Sequence, residues 1–312
     1  MMKKGITVLA MIATIWLSML GFVYADMTID IKTSLSGIPF ITEFEMNQSQ
    51  LIREGEVAFF TDMEIGLPSE TDTSVKTKAM VVMDLPNDRL LSCEWEESKC
   101  QDIRIGSLYE TIRPEMLQWI MDTLKSYVPM ITQYYEITGF SMEVNNELKS
   151  ISGYDCYQIK YDFGININVP VEQVPGELRV KVDGVSWMTE DIEQYELFSR
   201  NWNSMKETYF PEKYHGYIKE AFGLLGIDPE LIDKSWALDP AVAVESSVKI
   251  SVEIWNEGMS MPSMSFNLLA NSILQDISYD DIPDEAFMVP SGFEVEVIDA
   301  SMLKPLLEEK FK

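Results

Sequence analysis

The sequence predicts an α+β fold built around an antiparallel sheet. Short β-rich runs separated by Gly, Pro, Asn and Asp fill residues 27–91, a pattern typical of an antiparallel meander. Helical periodicity replaces the two-residue period near 108–135 and again near 192–236, and strands return after each helical block. Because strands and helices do not alternate one for one, a doubly wound parallel sheet is disfavoured.

The predicted strands follow one another along the chain. They cover residues 27–35, 40–52, 56–65, 75–85, 90–95, 100–105, 141–150, 155–163, 177–189, 248–254 and 264–268. In the helical block 108–135, apolar residues recur mostly three or four positions apart, Pro114 suits a first turn, and Pro129 predicts a bend. Breaks in the block 192–236 are expected at Pro211, Gly226 and Pro229.

Three rows of apolar residues alternate with polar ones. The polar residues must point the other way, so the three rows are expected to line one face of the sheet. An apolar ligand and plain core packing both explain such a face. The candidate ligand-binding residues are Tyr157, Ile159, Tyr161, Phe163, Val248, Ile250, Val252, Ile254, Met264, Phe266 and Leu268.

The first 25 residues read as a secretory signal peptide. Lys3 and Lys4 precede an apolar run over 6–23, and Ala25 supplies the small residue at the cut. We therefore expect cleavage after Ala25, a periplasmic or extracellular location, and a single mature domain over 26–312. The alternative is a membrane anchor, because an uncleaved run over 6–23 is long enough to span a bilayer.

The charge and the cysteines restrict the function classes. With 24 basic and 51 acidic side chains, the chain has a net charge of −27, which disfavours nucleic-acid binding. Cys93 and Cys100 flank a short polar hairpin and are the natural disulfide pair. Cys156 is then expected to be a buried or shielded free thiol.

The residue types favour a non-catalytic protein without a metal or cofactor. The single histidine, His215, lies in a helical segment, and no Gly-x-Ser-x-Gly motif occurs. One His and three scattered Cys do not form the usual zinc spacing. The acidic run 280–285 lacks the glycine-centred loop of a calcium site. Pairs of carboxylates keep a hydrolase open as a third interpretation.

Four stretches carry a resemblance to a known family. They are AMVVMD at 79–84 leading into the Cys93 hairpin, SGYDCY at 152–157, VSWMTEDI at 185–192, and ISYDDIPDEAFMVPSGF at 277–293. With these stretches in this order, the chain resembles exported proteins of the LolA-like lipoprotein-carrier superfamily. No position matches the lid-holding arginine of the carriers, so no functional residue is transferred.

The resemblance implies a strongly curved antiparallel sheet, an open half-barrel, with inserted helices covering the concave face. It implies a cavity that takes an apolar small molecule, a lipid or an acyl chain, and a membrane-protein or lipoprotein partner. Since fold does not settle function, the alternative is a structural or protein-interaction module whose core is filled by its own side chains.

Overall fold

The computed structural model describes residues 26–37, 41, 43–66, 74–104, 114–169, 176–209, 212–256 and 258–298. The predicted signal peptide over 1–25 and the predicted break at Pro211 lie outside the described residues. Within the described part, no helix has the length and apolar character needed to cross a membrane.

Twelve strands occur in the described residues. They are β1 (Met27–Ser36), β2 (Glu43–Arg53), β3 (Glu56–Gly66), β4 (Ser74–Asp84), β5 (Arg89–Glu94), β6 (Lys99–Arg104), β7 (Tyr135–Ile151), β8 (Tyr154–Val169), β9 (Gly176–Thr189), β10 (Val242–Asn256), β11 (Met264–Ser278) and β12 (Glu294–Ile298). Four helices, α1 (Pro114–Thr132), α2 (Tyr195–Tyr209), α3 (Glu212–Leu224) and α4 (Pro229–Trp236), and a 3-10 turn, Asp284–Phe287, complete the described elements.

All twelve strands form one open sheet. Its order is β12-β6-β5-β4-β3-β2-β1-β11-β10-β9-β8-β7, so β12 and β7 are the edges. Every neighbouring pair is antiparallel except β12 and β6, which are parallel. The prediction of an antiparallel sheet with inserted helices is confirmed.

The hairpin turns follow from the local sequence. Between β7 and β8 the chain turns through Ser152 and Gly153, which both have positive φ, at 51° and 93°. Two consecutive residues of this kind form the tight turn whose twist matches that of the flanking strands. This turn sets the register of the longest hairpin in the sheet.

The predicted helix over 108–135 was too long at its end. Helix α1 ends at Thr132 and β7 begins at Tyr135, six residues before the predicted strand start. Isoleucine, threonine and aromatic residues in 135–140 favour a strand, and the neighbouring strand β8 pairs with them. Residues 108–113 lie outside the described part.

The block 192–236 forms three helices. Helix α4 begins with Asp228 as N-cap, whose side chain accepts a hydrogen bond from the backbone N–H of Glu230, and Pro229 occupies the first helical position. Helix α3 packs against α1 and α4, and α1 contacts β7. Met205 and Trp202 of α2 belong instead to a cluster of apolar residues in the interior, called the main core.

The disulfide prediction is confirmed. Cys93 and Cys100 are directly paired across β5 and β6 and form a disulfide. Cys156 is a buried free thiol. As expected for a buried thiol, Cys156 joins the main core cluster with Val242 and Met27.

The last described segment covers one side of the first strands. Ile282 and Phe287 pack on Ala58, Met80 and Leu91 in a second core cluster. The chain then adds β12 alongside β6. This strand was not predicted from the sequence.

Candidate ligand-binding face

The strand register defines one continuous face of the sheet, named face A. Directly opposed residues of neighbouring strands point to the same side. On the later strands, face A carries Tyr157, Ile159, Tyr161, Phe163, Ile165 and Ile167 of β8, Leu178, Val180, Val182, Gly184, Ser186 and Met188 of β9, Ser246, Val248, Ile250, Val252 and Ile254 of β10, and Met264, Phe266, Leu268, Ala270, Ser272 and Leu274 of β11.

The same face continues through β1 into the first meander. There it carries Met27, Ile29, Ile31, Thr33 and Leu35 of β1, Phe44, Met46, Gln48, Gln50 and Ile52 of β2, Val57, Phe59, Thr61, Met63 and Ile65 of β3, and Val75, Thr77, Ala79, Val81 and Met83 of β4. None of these face A residues, on either half, carries a charge.

All eleven candidate residues lie on face A. Val252 opposes Phe266 on one side and Val180 on the other, and Ile254 opposes Met264. Val248 connects through Gly184 to Tyr161 of β8. The structure therefore brings the three rows together on adjoining strands, while their binding of a ligand stays a prediction.

Several members of this face were not among the predicted residues. Leu178, Val180 and Val182 of β9 lie between the β8 and β10 rows. Their alternation with Arg179, Lys181 and Asp183 is visible in the sequence. It could have been identified by the same argument as the other rows.

Face A is closed in one half and open in the other. The closed half comprises the face A residues of β1–β4. Within it, Phe59 and Met63 are each 2% exposed. The open lane comprises the face A residues from Phe163, Val182, Val248 and Ala270 toward the β10–β11 turn. Its members are half-buried, and Met264 at the turn is 53% exposed.

A row of buried polar residues, the polar belt, separates the open lane from the main core. It runs across four strands through Thr33 of β1, Ser272 of β11, Ser246 of β10 and Ser186 of β9, which oppose one another in register. Its hydroxyls form close pairs: Thr33 and Ser272 are 2.8 Å apart and Ser246 donates to Ser186 at 2.9 Å. On β2, Gln48 and Gln50 are buried opposite Ile31 and Ile29.

Tyr161 connects the polar belt to the open lane. It hydrogen-bonds to Ser186, while burial raises the pKa of its phenol. A Cβ atom on Gly184 would lie 2.1 Å from the Tyr161 ring, so the ring crosses the strand where only glycine leaves room. Gly184 is therefore needed for the position of this hydroxyl.

A cluster of tyrosines and acids lies at the other end of the β8 row. Burial, followed by the charge of Glu190, raises the pKa of Tyr157 and brings the pKa of Tyr195 to about 12. Burial and then Asp239 raise the pKa of Glu190. The two tyrosines remain neutral hydrogen-bonding groups at physiological pH.

The opposite side of β7–β10, face B, has a different chemistry. It bears Lys160, Asp183 and Lys249, which line a shallow groove of about 440 Å³. Its ion pairs include Lys181 with Asp183 at 2.6 Å. Such exposed pairs contribute little to stability but make this side of the sheet hydrophilic.

His215, the single histidine of the chain, lies on α3. Its Nε2 atom is 3.5 Å from a carboxylate oxygen of Asp233 on α4. This contact joins two helices and lies away from the face A residues described above.

Comparison with known proteins identified a weak similarity to a solved structure. No protein-family model matches the chain, and no curated protein matches it. The chain is similar to the crystal structure of a DUF1329 family protein from Desulfovibrio piger, with 11% identity, a TM-score of 0.24, and coverage of 88% of this chain and 94% of that one. A similarity of this size does not establish a shared fold.

Proposed function

We propose that this chain is an exported, non-catalytic binding protein that holds an apolar ligand, a lipid or an acyl chain, against face A. The observation that carries the proposal is that face A is uncharged although the chain has a net charge of −27. One half of this face is only partly covered. Covering apolar surface is worth about 25 cal/mol per Å², so the open lane favours an occupant.

The proposal includes the shape of the sheet. In a strongly curved LolA-like half-barrel, face A is the concave side and the helices cover it. Two observations support this: α1 contacts β7, and Leu238, which follows α4, packs against the cluster of Ile159 and Met188 on face A. A membrane-protein or lipoprotein partner would deliver or receive the ligand.

The alternative is an interaction module with a filled core. It is favoured by Ile159, which is 7% exposed, and by Ser186 and Ser246, which are buried although they adjoin the open lane. In that case the packing of the closed half extends along face A and leaves no space for a ligand.

Native mass spectrometry and a dye separate the two functions. Protein isolated from its export compartment is expected to carry extra mass of lipid size, and delipidated protein is expected to bind diphenylhexatriene, an uncharged apolar fluorophore, saturably. A clean apo mass together with absence of dye binding would reject the binder and leave the interaction module.

Export itself has a separate test. Cleavage after Ala25 would place Asp26 at the new N-terminus, where its carboxylate accepts a hydrogen bond from the backbone N–H of Ile282. The intact mass of the exported protein is expected to begin at Asp26. A product that retains residues 1–25 would establish the anchor.

A further inference from the structure

Three methionines, named the methionine turn, are exposed together where β10 turns into β11. Met259 is 59% exposed, Met261 69% and Met264 53%, and all three lie within the six residues 259–264. Methionine otherwise serves mainly in the interior of this protein, where seven of the described methionines are buried. Packing therefore does not account for three adjacent thioethers in water.

The backbone of the methionine turn is fixed at both ends. The backbone N–H of Met259 donates to the carbonyl of Asn256 at 3.2 Å, and that of Ser263 donates to the carbonyl of Ile254 at 2.7 Å. Ile254 is also directly opposed to Met264 in the sheet. The three methionines are thus carried by one closed loop.

The spacing of these methionines allows their sulfur atoms to meet. Met261 follows Met259 by two residues and Met264 follows Met261 by three, so the Cα atoms of each successive pair are at most about 7 and 11 Å apart. A methionine side chain is unbranched and has three rotatable bonds. Three such side chains on one closed loop can reach a common ion.

The ligand set determines which ion would bind. Thioether sulfur is a soft, uncharged ligand that selects Cu(I) among the biological metals, whereas carboxylates and waters suit Mg²⁺, Ca²⁺ and Mn²⁺. In the described part of the chain, no three His, Cys, Asp or Glu side chains come together as a metal site. The net charge of −27 attracts cations to the protein in general, and the three thioethers supply the selectivity for a soft one.

The rest of the turn does not suit a partner or a membrane. Residues 258–264 contain only glycine, serine, proline and the three methionines. Protein interfaces are anchored mainly by Trp, Tyr and Arg, and membrane-surface segments by Trp, Phe and Leu together with Lys or Arg. The turn has none of these residue types, so its exposed sulfur atoms are its distinguishing chemistry.

We propose that the methionine turn is a site for a monovalent soft metal ion, Cu(I), which the sulfur atoms of Met259, Met261 and Met264 bind together. This inference concerns the turn alone and holds whether or not face A binds an apolar ligand.

The test uses Cu(I) and its redox-stable analogue Ag(I) on protein isolated from its export compartment. Cu(I), added without oxygen or thiol reductants, is expected to transfer from the coloured bicinchoninate complex to the protein with one ion per chain. Ag(I) is expected to shift the ε-methyl NMR signals of Met259, Met261 and Met264 together. The signals of Met130 and Met288, two exposed methionines outside the turn, should stay in place.

Replacement of each methionine of the turn by leucine removes the sulfur and keeps an apolar side chain of similar volume. Loss of even an outer-shell partner typically costs about 10- to 100-fold in metal affinity, so each single change should weaken Cu(I) binding at least tenfold. The triple variant should lose binding, with the melting temperature of wild type. The matched control, Met130→Leu with Met288→Leu, should bind as wild type does.

Three results would overturn the inference. They are absence of Cu(I) transfer to the wild type, binding that survives in the triple variant, which would assign the ion to another group such as the Cys156 thiol, and an equal loss of binding in the control. Ag(I) shifts confined to one methionine of the turn would overturn the shared site as well.

Discussion

The closed half and the open lane of face A carry the same kinds of side chain but differ in exposure. Phe59 and Met63 in the closed half are each 2% exposed, whereas Met264 in the open lane is 53% exposed. The closed half shares its core cluster with residues of α2. The comparison shows that two-residue alternation identifies a face of a sheet without determining what covers it.

The largest expected difference comes from matched phenylalanines. Phe59→Ala in the closed half should lower the free energy of unfolding by about 3 to 5 kcal/mol, because it empties a packed site. Phe266→Ala in the half-buried open lane should cost less than half as much. Urea denaturation measures both, and equal losses would show that the lane is as tightly packed as the closed half.

The disulfide gives the next largest effect. Replacing Cys93 and Cys100 by serine removes a short-loop crosslink worth about 2.5 kcal/mol in the chain-entropy model. This pair joins β5 and β6 beside the closed half. Binding of diphenylhexatriene at low temperature should be unchanged, whereas its loss from the folded variant would couple the lane to this hairpin.

Gly184→Ala adds only one methyl group but should lower the stability of the protein. The added Cβ would displace the Tyr161 ring, and overpacking costs about 1 to 3 kcal/mol. Val182→Ala, on the same strand and face, is the control because it removes atoms without a clash. A Gly184→Ala variant with wild-type melting temperature would mean that the ring moves freely and does not hold a fixed position.

The smallest expected effect concerns the chemical reactivity of the Cys156 thiol, which is measured on the unmutated protein. Burial raises the pKa of its thiol, and the thiolate is the reactive form. Iodoacetamide should therefore leave Cys156 unmodified in the native protein at pH 8 and modify it after unfolding in urea. Rapid native modification would mean that the main core opens locally at β8.

Alternation and turn residues were sufficient to predict most strands, the antiparallel arrangement, the helical blocks and the Cys93–Cys100 pair. The strand β12 was missed because its five residues follow a loop and pair in parallel with β6, a contact that leaves no local periodicity. The polar belt was missed for a similar reason. Thr33, Ser272 and Ser246 are far apart in sequence, and only the register places them side by side.

The burial of Cys156 shows the limit of the alternation argument. On the same strand face, Lys160 is exposed and Gln158 is half-buried, whereas Cys156 lies in the core. A strand face can change its environment along its length when other elements cover one end.

Binding of an apolar ligand by the open lane is measured by titrating diphenylhexatriene into wild type, Val252→Phe and Glu253→Gln. Val252 lies in the lane, and Glu253 faces the other way, where it accepts a hydrogen bond from Trp255 that glutamine can also accept. We expect saturable binding by wild type and Glu253→Gln, and weakened binding by Val252→Phe with a melting temperature close to that of wild type. Absence of binding in wild type, with a loss of about 1 to 3 kcal/mol in Val252→Phe from overpacking, would contradict it.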